Sequence, residues 1–416
     1  MLTLSNAIET GRRGSPELRR LELVADAAAS KRWEALSGYI PQVGVSSNYF
    51  LAANYAAVGF NMGGFPPGFK FPSAYPQTNI EITGSWTFFD GFGTWNLYRA
   101  AVLDYEASQL DLSHAQFRNA QLIQVKFFQA LAAQQLADVA NQNIGTLEHH
   151  LTLVQVNEQA GTGTRVDVLR LQAQLEEARA EKILADDNVV LARRSLGEMM
   201  GLDEAPASLD GSLPVPEERK VPEALQLRVN EREDFQAQSK REAASDRTNS
   251  AALGALFPKV SLFAVEQFYA YTGSFNPLIA GSSGLQNAYG LGLKLTWNLF
   301  DGGSSIARKA GLEARAKQAT EVTRKMLLSA GTEFETWKRR YNYNVHLFKA
   351  RQRSVEQSEE SVRLALISVK AGTKTHSEFL DAERDLFRSR AGVIEAQIAA
   401  AEALSNLELA VGHAIK

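Results

Sequence analysis

The chain contains no cysteine. That excludes disulfides, thiolate metal sites and a cysteine nucleophile, and it suits an oxidising envelope. Long apolar runs are also missing. No uninterrupted stretch of about 18 apolar residues exists, which excludes a membrane-spanning helix but not a membrane β-barrel, whose strands are short and only alternately apolar. Charge of one sign is lacking too: 44 Lys and Arg are interspersed with 47 Asp and Glu, for a net charge of −3. Neither a nucleic-acid partner nor a polybasic membrane patch is indicated. The start, Met1-Leu-Thr-Leu-Ser-Asn-Ala-Ile8, has no charged segment followed by an apolar core. No signal peptide is read there, so the chain is either cytosolic or begins at a mature end.

Catalytic signals are equally sparse. Gly161-Thr-Gly-Thr164 lacks the Gly-Lys-Ser/Thr ending and the preceding strand of a phosphate loop. His149 and His150 are helix neighbours that point apart, and the other four of the six histidines are scattered and read as surface residues. No zinc-protease or nucleophile-elbow motif occurs. The expectation is a protein that is not an enzyme, with no cofactor and no metal site.

What is present is a duplication. Trp86, Phe89, Asp90 and Gly91 recur 211 residues later as Trp297, Phe300, Asp301 and Gly302. Ala160, Gly161, Thr162, Thr164 and Leu169 recur at the same offset as Ala371, Gly372, Thr373, Thr375 and Leu380, and Leu196 and Gly201 as Leu407 and Gly412. A helix turns about 100° per residue, so a constant offset keeps every side chain on its face. The copies are read as residues 1–201 and 222–416, joined by a linker at 202–221 with Pro206, Pro214 and Pro216.

All 12 prolines lie at or before Pro76, between Pro206 and Pro258, or at Pro277. The proline-free stretches around 94–159 and 305–370 are rich in strong helix formers and predict helices roughly 100 Å long. Each ends in a glycine-threonine turn followed by a return helix of about half that length. Each copy opens with a further half-length helix, Leu4 to Gly38 and Pro222 to Leu256.

Between opening and long helices, each copy has two strand candidates. Tyr289, Leu291, Leu293, Leu295, Trp297 and Leu299 alternate with Gly290, Gly292, Lys294, Thr296 and Asn298. Ile80, Ile82, Gly84, Trp86 and Phe88 alternate likewise with polar residues. Trp86, Tyr289 and Trp297 are candidates for a membrane aromatic girdle. For Val43 to Tyr55 and Val260 to Tyr271 the sequence leaves the lipid face open. The loops Ala57 to Thr78 and Thr272 to Ala288 are long and rich in Gly, Pro, Ser and Asn. Four strands cannot close a barrel, and an open edge is not tolerated in lipid. Three copies would give twelve strands and a β-pore carrying a helical tunnel.

The segment Ala7-Ile8, Ser15-Pro16-Glu17-Leu18 and Gly38-Tyr-Ile-Pro41, with Trp297-Asn-Leu-Phe-Asp-Gly-Gly303, Ala371-Gly-Thr-Lys-Thr375 and Phe379-Leu-Asp-Ala382, resembles the TolC family of outer-membrane efflux and secretion channels. The resemblance spans essentially the whole chain. It implies a homotrimeric twelve-stranded β-barrel continued by a periplasmic α-helical barrel, in the outer membrane of a Gram-negative bacterium. It also implies a passive exit duct for small molecules or polypeptides, docked to a periplasmic adaptor and an inner-membrane transporter. The alternative reading is a soluble coiled-coil scaffold with a small β-domain.

By the same resemblance, Asp167, Lys374, Glu378 and Asp381 match the periplasmic gate, and Gly161, Thr162, Gly372 and Thr373 match the adaptor-docking tips. Thr164 with Asp167 and Thr375 with Glu378 have capping-box spacing, so those acids read equally as helix caps. Asp381 lies a turn further in and is read as lumenal. Val369 stands where the family often has a tyrosine before the turn. Asp90, Gly91, Asp301 and Gly302 read as strand-to-helix junctions, with the aspartates capping the long helices.

Overall fold

The computed structural model describes residues 1–51, 57–59, 70–72, 78–219, 228–270, 286–371 and 373–415. The expected opening helix over 4–38 is divided into α1 (Leu4–Gly14) and α2 (Pro16–Ser37). Ser15 is extended, at φ −63° and ψ 117°, because a residue before proline avoids the helical region. Pro16 then starts α2, where its missing N–H costs nothing.

After α2 the chain forms β1 (Gln42–Tyr49), β2 (Ala57–Gly59), β3 (Lys70–Pro72) and β4 (Thr78–Phe89). The expected extension of the first strand to Tyr55 lies outside the described residues. β2 and β3 pair with each other within what the sequence presents as a loop. Next come the long α3 (Gly93–Gln159) and its return α4 (Arg165–Met200). The second copy follows with α5 (Glu233–Ala252), a 3-10 turn at Leu253–Leu256, β5 (Lys259–Ala270), β6 (Gln286–Thr296), α6 (Ser304–Lys370) and α7 (His376–Val411). The expected start of α5 at Pro222 and the strand end at Tyr271 lie outside the described residues, as does most of the loop from Thr272.

Adding 211 to the bounds of α3 and α4 returns those of α6 and α7. Capping chemistry repeats with them. Thr164 and Thr375 are N-caps, and Gly201 and Gly412 end the return helices in the left-handed region at φ 74° and 87°. The constant offset does not reach further back: Pro41 and Pro258 lie 217 residues apart, so the six-residue difference falls between the paired strands.

The four longer strands form one antiparallel sheet in the order β1-β4-β5-β6. Its register settles the faces that the sequence leaves open. Val45, Ile82, Glu266 and Tyr289 lie in one row, and Val43, Gly84, Ala264 and Leu291 in the next. Directly paired residues share a face, so Val43 and Val45 of β1 and Leu262 of β5 join Tyr289, Leu291, Leu293 and Leu295. The opposite face carries Gly44, Ser46, Glu81, Thr83, Ser85, Gln267 and Lys294. On it Gln267 donates to the Glu81 carboxylate at 2.7 Å. There the ring of Phe263 covers Gly292, where an added Cβ would lie 2.9 Å from it. The apolar face is exposed, with Tyr289 at 83% and Leu291 at 74%. Among the described residues its one carboxylate, Glu266, accepts from Asn287 at 3.1 Å. β6 ends at Thr296, so Trp297 and Leu299 fall just beyond the strand in which they are expected.

The described residues fall into two compact units, each drawing on both copies. One comprises 1–26, 106–239 and 321–416, the other 27–105 and 240–320. In the first, Leu147, Val154, Val168, Leu171, Ala365, Phe379 and Leu380 make a core where α3, α4, α6 and α7 meet. A second core packs Ala7, Ile123, Phe127, Leu196 and Met200. Burial of each large side chain here contributes about 1.5–3 kcal/mol. The linker is pinned to the start of the chain, because Leu2 N–H donates to Ser208 O at 3.0 Å and Asp210 N–H to Leu2 O at 2.9 Å.

Candidate functional site

The turn between α3 and α4 is built by backbone rules that its residues satisfy. Thr162 N–H and Gly163 N–H both donate to Asn157 O at 2.9 Å, and the Thr162 hydroxyl adds a third bond at 3.1 Å. Gly161 supplies the left-handed residue at φ 77° that ends α3. Gly163 is required by space, since a Cβ there would meet Glu158 N at 2.9 Å. In the second copy Thr373 N–H and its hydroxyl make the matching bonds to Ser368 O, at 2.9 and 3.0 Å. Lys374 takes the place of Gly163, and its amide bond to Ser368 O lengthens to 3.3 Å. Gly372 lies outside the described residues.

Two of the gate candidates are engaged as caps. Thr164 Oγ1 accepts from Asp167 N–H at 3.2 Å and donates to the Asp167 carboxylate at 2.6 Å. At the second tip the capping box is complete: Glu378 N–H donates to Thr375 Oγ1 at 3.4 Å, and Thr375 N–H donates to Glu378 Oε2 at 3.0 Å. The Thr375 amide, then its hydroxyl and the Lys374 ammonium, hold the Glu378 carboxyl below its usual range. Lys374 Nζ stands 3.9 Å from that carboxylate. Asp381 has no cap to make; it is exposed and pairs with Arg384 one turn on at 3.5 Å.

Asp90 and Asp301 hold the starts of the long helices. Thr94 N–H donates to Asp90 Oδ2 at 2.7 Å, and Ser305 N–H to Asp301 Oδ2 at 2.8 Å. The Ser305 hydroxyl and then its amide hold the Asp301 carboxyl below the ordinary range. Gly91 and Gly302 share φ 69°. Trp86 Nε1–H donates to Tyr39 O at 2.8 Å and Trp297 Nε1–H to Leu256 O at 3.2 Å, tying each strand to the end of the helix preceding its partner.

Two features were not legible as sites. His149 and His150 point apart as expected, the first exposed and the second 4% exposed and stacked on Phe379; the surface reading of the remaining histidines is corrected at His376, which is half-buried beside His150. A residue separation of 226 hides that meeting. A cleft of about 410 Å³ between α3, α4 and α7 gathers Asn143, Glu177, Glu181, Glu383 and Arg388. Burial pushes the Glu383 carboxyl up, against the opposing pull of Arg390.

A two-faced sheet and duplicated long helices with glycine-threonine turns define a class: the protomer of an outer-membrane channel with a periplasmic helical part. The sequence profile described as outer membrane efflux protein matches residues 7–202 and 224–413, and the chain belongs to that family. It is 24% identical over 321 residues to the pyoverdine export outer membrane protein OpmQ of Pseudomonas aeruginosa, covering 76% of this chain and 65% of that protein's length. To the outer membrane protein TolC of Vibrio cholerae it is 21% identical over 422 residues, covering 98% of this chain and 90% of that one. The fold matches the solved outer-membrane channel OprN with a TM-score of 0.80 at 23% identity, over 98% of this chain and 89% of that one. Family membership places the protein in the Gram-negative outer membrane and sets aside both the soluble scaffold and an enzyme.

Proposed function

We propose that three copies of this chain form a passive outer-membrane exit duct, loaded by an inner-membrane transporter through a periplasmic adaptor. The observation that carries the reading is the sheet. One face is apolar and exposed, the other polar, and among the described residues the edge strands β1 and β6 each have a single neighbour. Such edges are satisfied in lipid by joining copies edge to edge until the barrel closes. Exposed apolar side chains on α4, Ile183, Leu184, Val190 and Leu191 at 62–64%, give the helices a surface to pack against neighbouring copies.

The cargo is of the small-molecule or polypeptide class; the duct is powered by its partners. Gly161, Thr162, Gly372 and Thr373 form the adaptor-docking tips. Asp381 and Glu378, repeated by three-fold symmetry, set a ring of carboxylates that favours cations. The test is single-channel conductance in a planar bilayer, comparing the wild type with Glu378→Ala plus Asp381→Ala. A small, cation-selective conductance that rises in the variant supports duct and gate. Equal conductances keep the duct and return these acids to capping and surface pairing, whereas folded trimer that forms no pores overturns the reading.

A further inference from the structure

His150 on α3 and His376 at the first position of α7 meet inside the helical unit. Their ring centroids are 5.7 Å apart with planes inclined at 67°, and His150 lies over Phe379 at 4.0 Å. Among the described residues, His376 Nδ1 is buried with no hydrogen-bond partner. A buried polar atom in that condition costs about 1–3 kcal/mol, which coordination of an ion by that nitrogen would offset. An aromatic stack alone would explain the contact between the rings; it does not explain a buried ring nitrogen without a partner.

Imidazole nitrogen is a ligand for zinc, copper and nickel. With metal–nitrogen bonds of about 2.0–2.1 Å and a tetrahedral angle, two imidazole centres sharing one ion stand roughly 5 Å apart. The observed 5.7 Å is within a small side-chain adjustment of that distance. The duplication gives no second site, because the positions 211 residues away are Ser361 and Arg165. We propose that His150 and His376 form one site per chain for a divalent transition-metal ion, completed by water, that clips α3 to the first turn of α7.

The test uses full-length, untagged protein in detergent, stripped with chelator and titrated with zinc by calorimetry, with copper as a spectroscopic probe. One zinc ion per chain is expected, and the copper resonance should report two nitrogen ligands. His376→Gln, at a half-buried position, should weaken zinc binding at least tenfold and reduce the nitrogen count to one, with far-UV circular dichroism unchanged. His149→Gln, its exposed neighbour on α3, should leave both readouts as in the wild type. Zinc binding absent from the wild type, or equal in His376→Gln, would overturn the site. Neither readout depends on conduction, so its failure leaves the duct untouched.

Discussion

Three glycines share a left-handed backbone but not their surroundings, and replacing each by alanine separates strain from packing. Gly161, Gly201 and Gly412 have φ of 77°, 74° and 87°. Alanine in this region costs roughly 1–2 kcal/mol wherever it sits. Around Gly161 an added Cβ meets nothing within 4 Å, so strain is the whole effect. At Gly412 the Cβ would lie 2.8 Å from Arg232 Cγ. That side chain can shift, but it is held by Asp234 at 2.7 Å and by Ala410 O at 3.1 Å. At Gly201 the Cβ would stand 2.0 Å from Gly14 O, which is backbone and cannot rotate away. Forcing α1 from the end of α4 adds overpacking of about 1–3 kcal/mol, or more. The predicted order of destabilisation is Gly161→Ala, then Gly412→Ala, then Gly201→Ala, spanning roughly 1 to 5 kcal/mol. Thermal unfolding followed at 222 nm, at one fixed scan rate in detergent, gives the order, and hydrogen exchange at α1 localises the largest effect. Equal losses at Gly161 and Gly201 would refute the argument from the Gly14 carbonyl.

Two more outcomes follow from the sheet and from the second tip. Leu293→Lys places a charge on the apolar face at a cost of about 2–4 kcal/mol near the bilayer midplane, and should reduce the yield of the proposed trimer, measured by size-exclusion chromatography in detergent. Lys294→Leu, on the opposite face, should leave that yield unchanged; equal loss from both would mean the faces are misassigned. Glu378 has a carboxyl pKa lowered from 4.5 by the Thr375 amide, so its contribution to α7 is fully present above the unfolded value and fades as the pH falls through the lower folded one. The difference in melting temperature between wild type and Glu378→Gln should therefore be constant near neutrality and shrink below about pH 4.5. A difference that persists unchanged into strong acid would show that the carboxylate is not what caps the helix.

The long helices were legible because propensity, missing prolines and repetition agree over their 67 residues. The helix break at Ser15–Pro16 was written in the sequence, because a residue before proline avoids the helical region, yet the opening segment was read as one helix. The faces of β1 and β5 were not legible, because Ser47 in β1 and Phe263, Val265 and Glu266 in β5 interrupt the alternation and only pairing with β4 and β6 fixes their direction. His150 and His376 were visible singly, but nothing local joins them. What the duplication conceals is that the two copies share a backbone and its caps but not every side chain around them. Phe92 adopts φ 62° where Gly303 adopts 85°, so the first copy holds a bulky side chain in a conformation that the second gives to glycine. At the tips the asymmetry is sharper. The first turn needs Gly163 for space, while the second has Lys374, a complete capping box and a histidine at the start of α7. Strain and charge are thus distributed unequally over a repeated scaffold: the second tip has Lys374, His376, Glu378 and Asp381 where the first has Gly163, Arg165, Asp167 and Arg170. Substitutions at Lys374, His376, Glu378 and Asp381 should therefore change conduction or metal binding more than substitutions at their counterparts in the first copy, although the helices that present them have the same bounds.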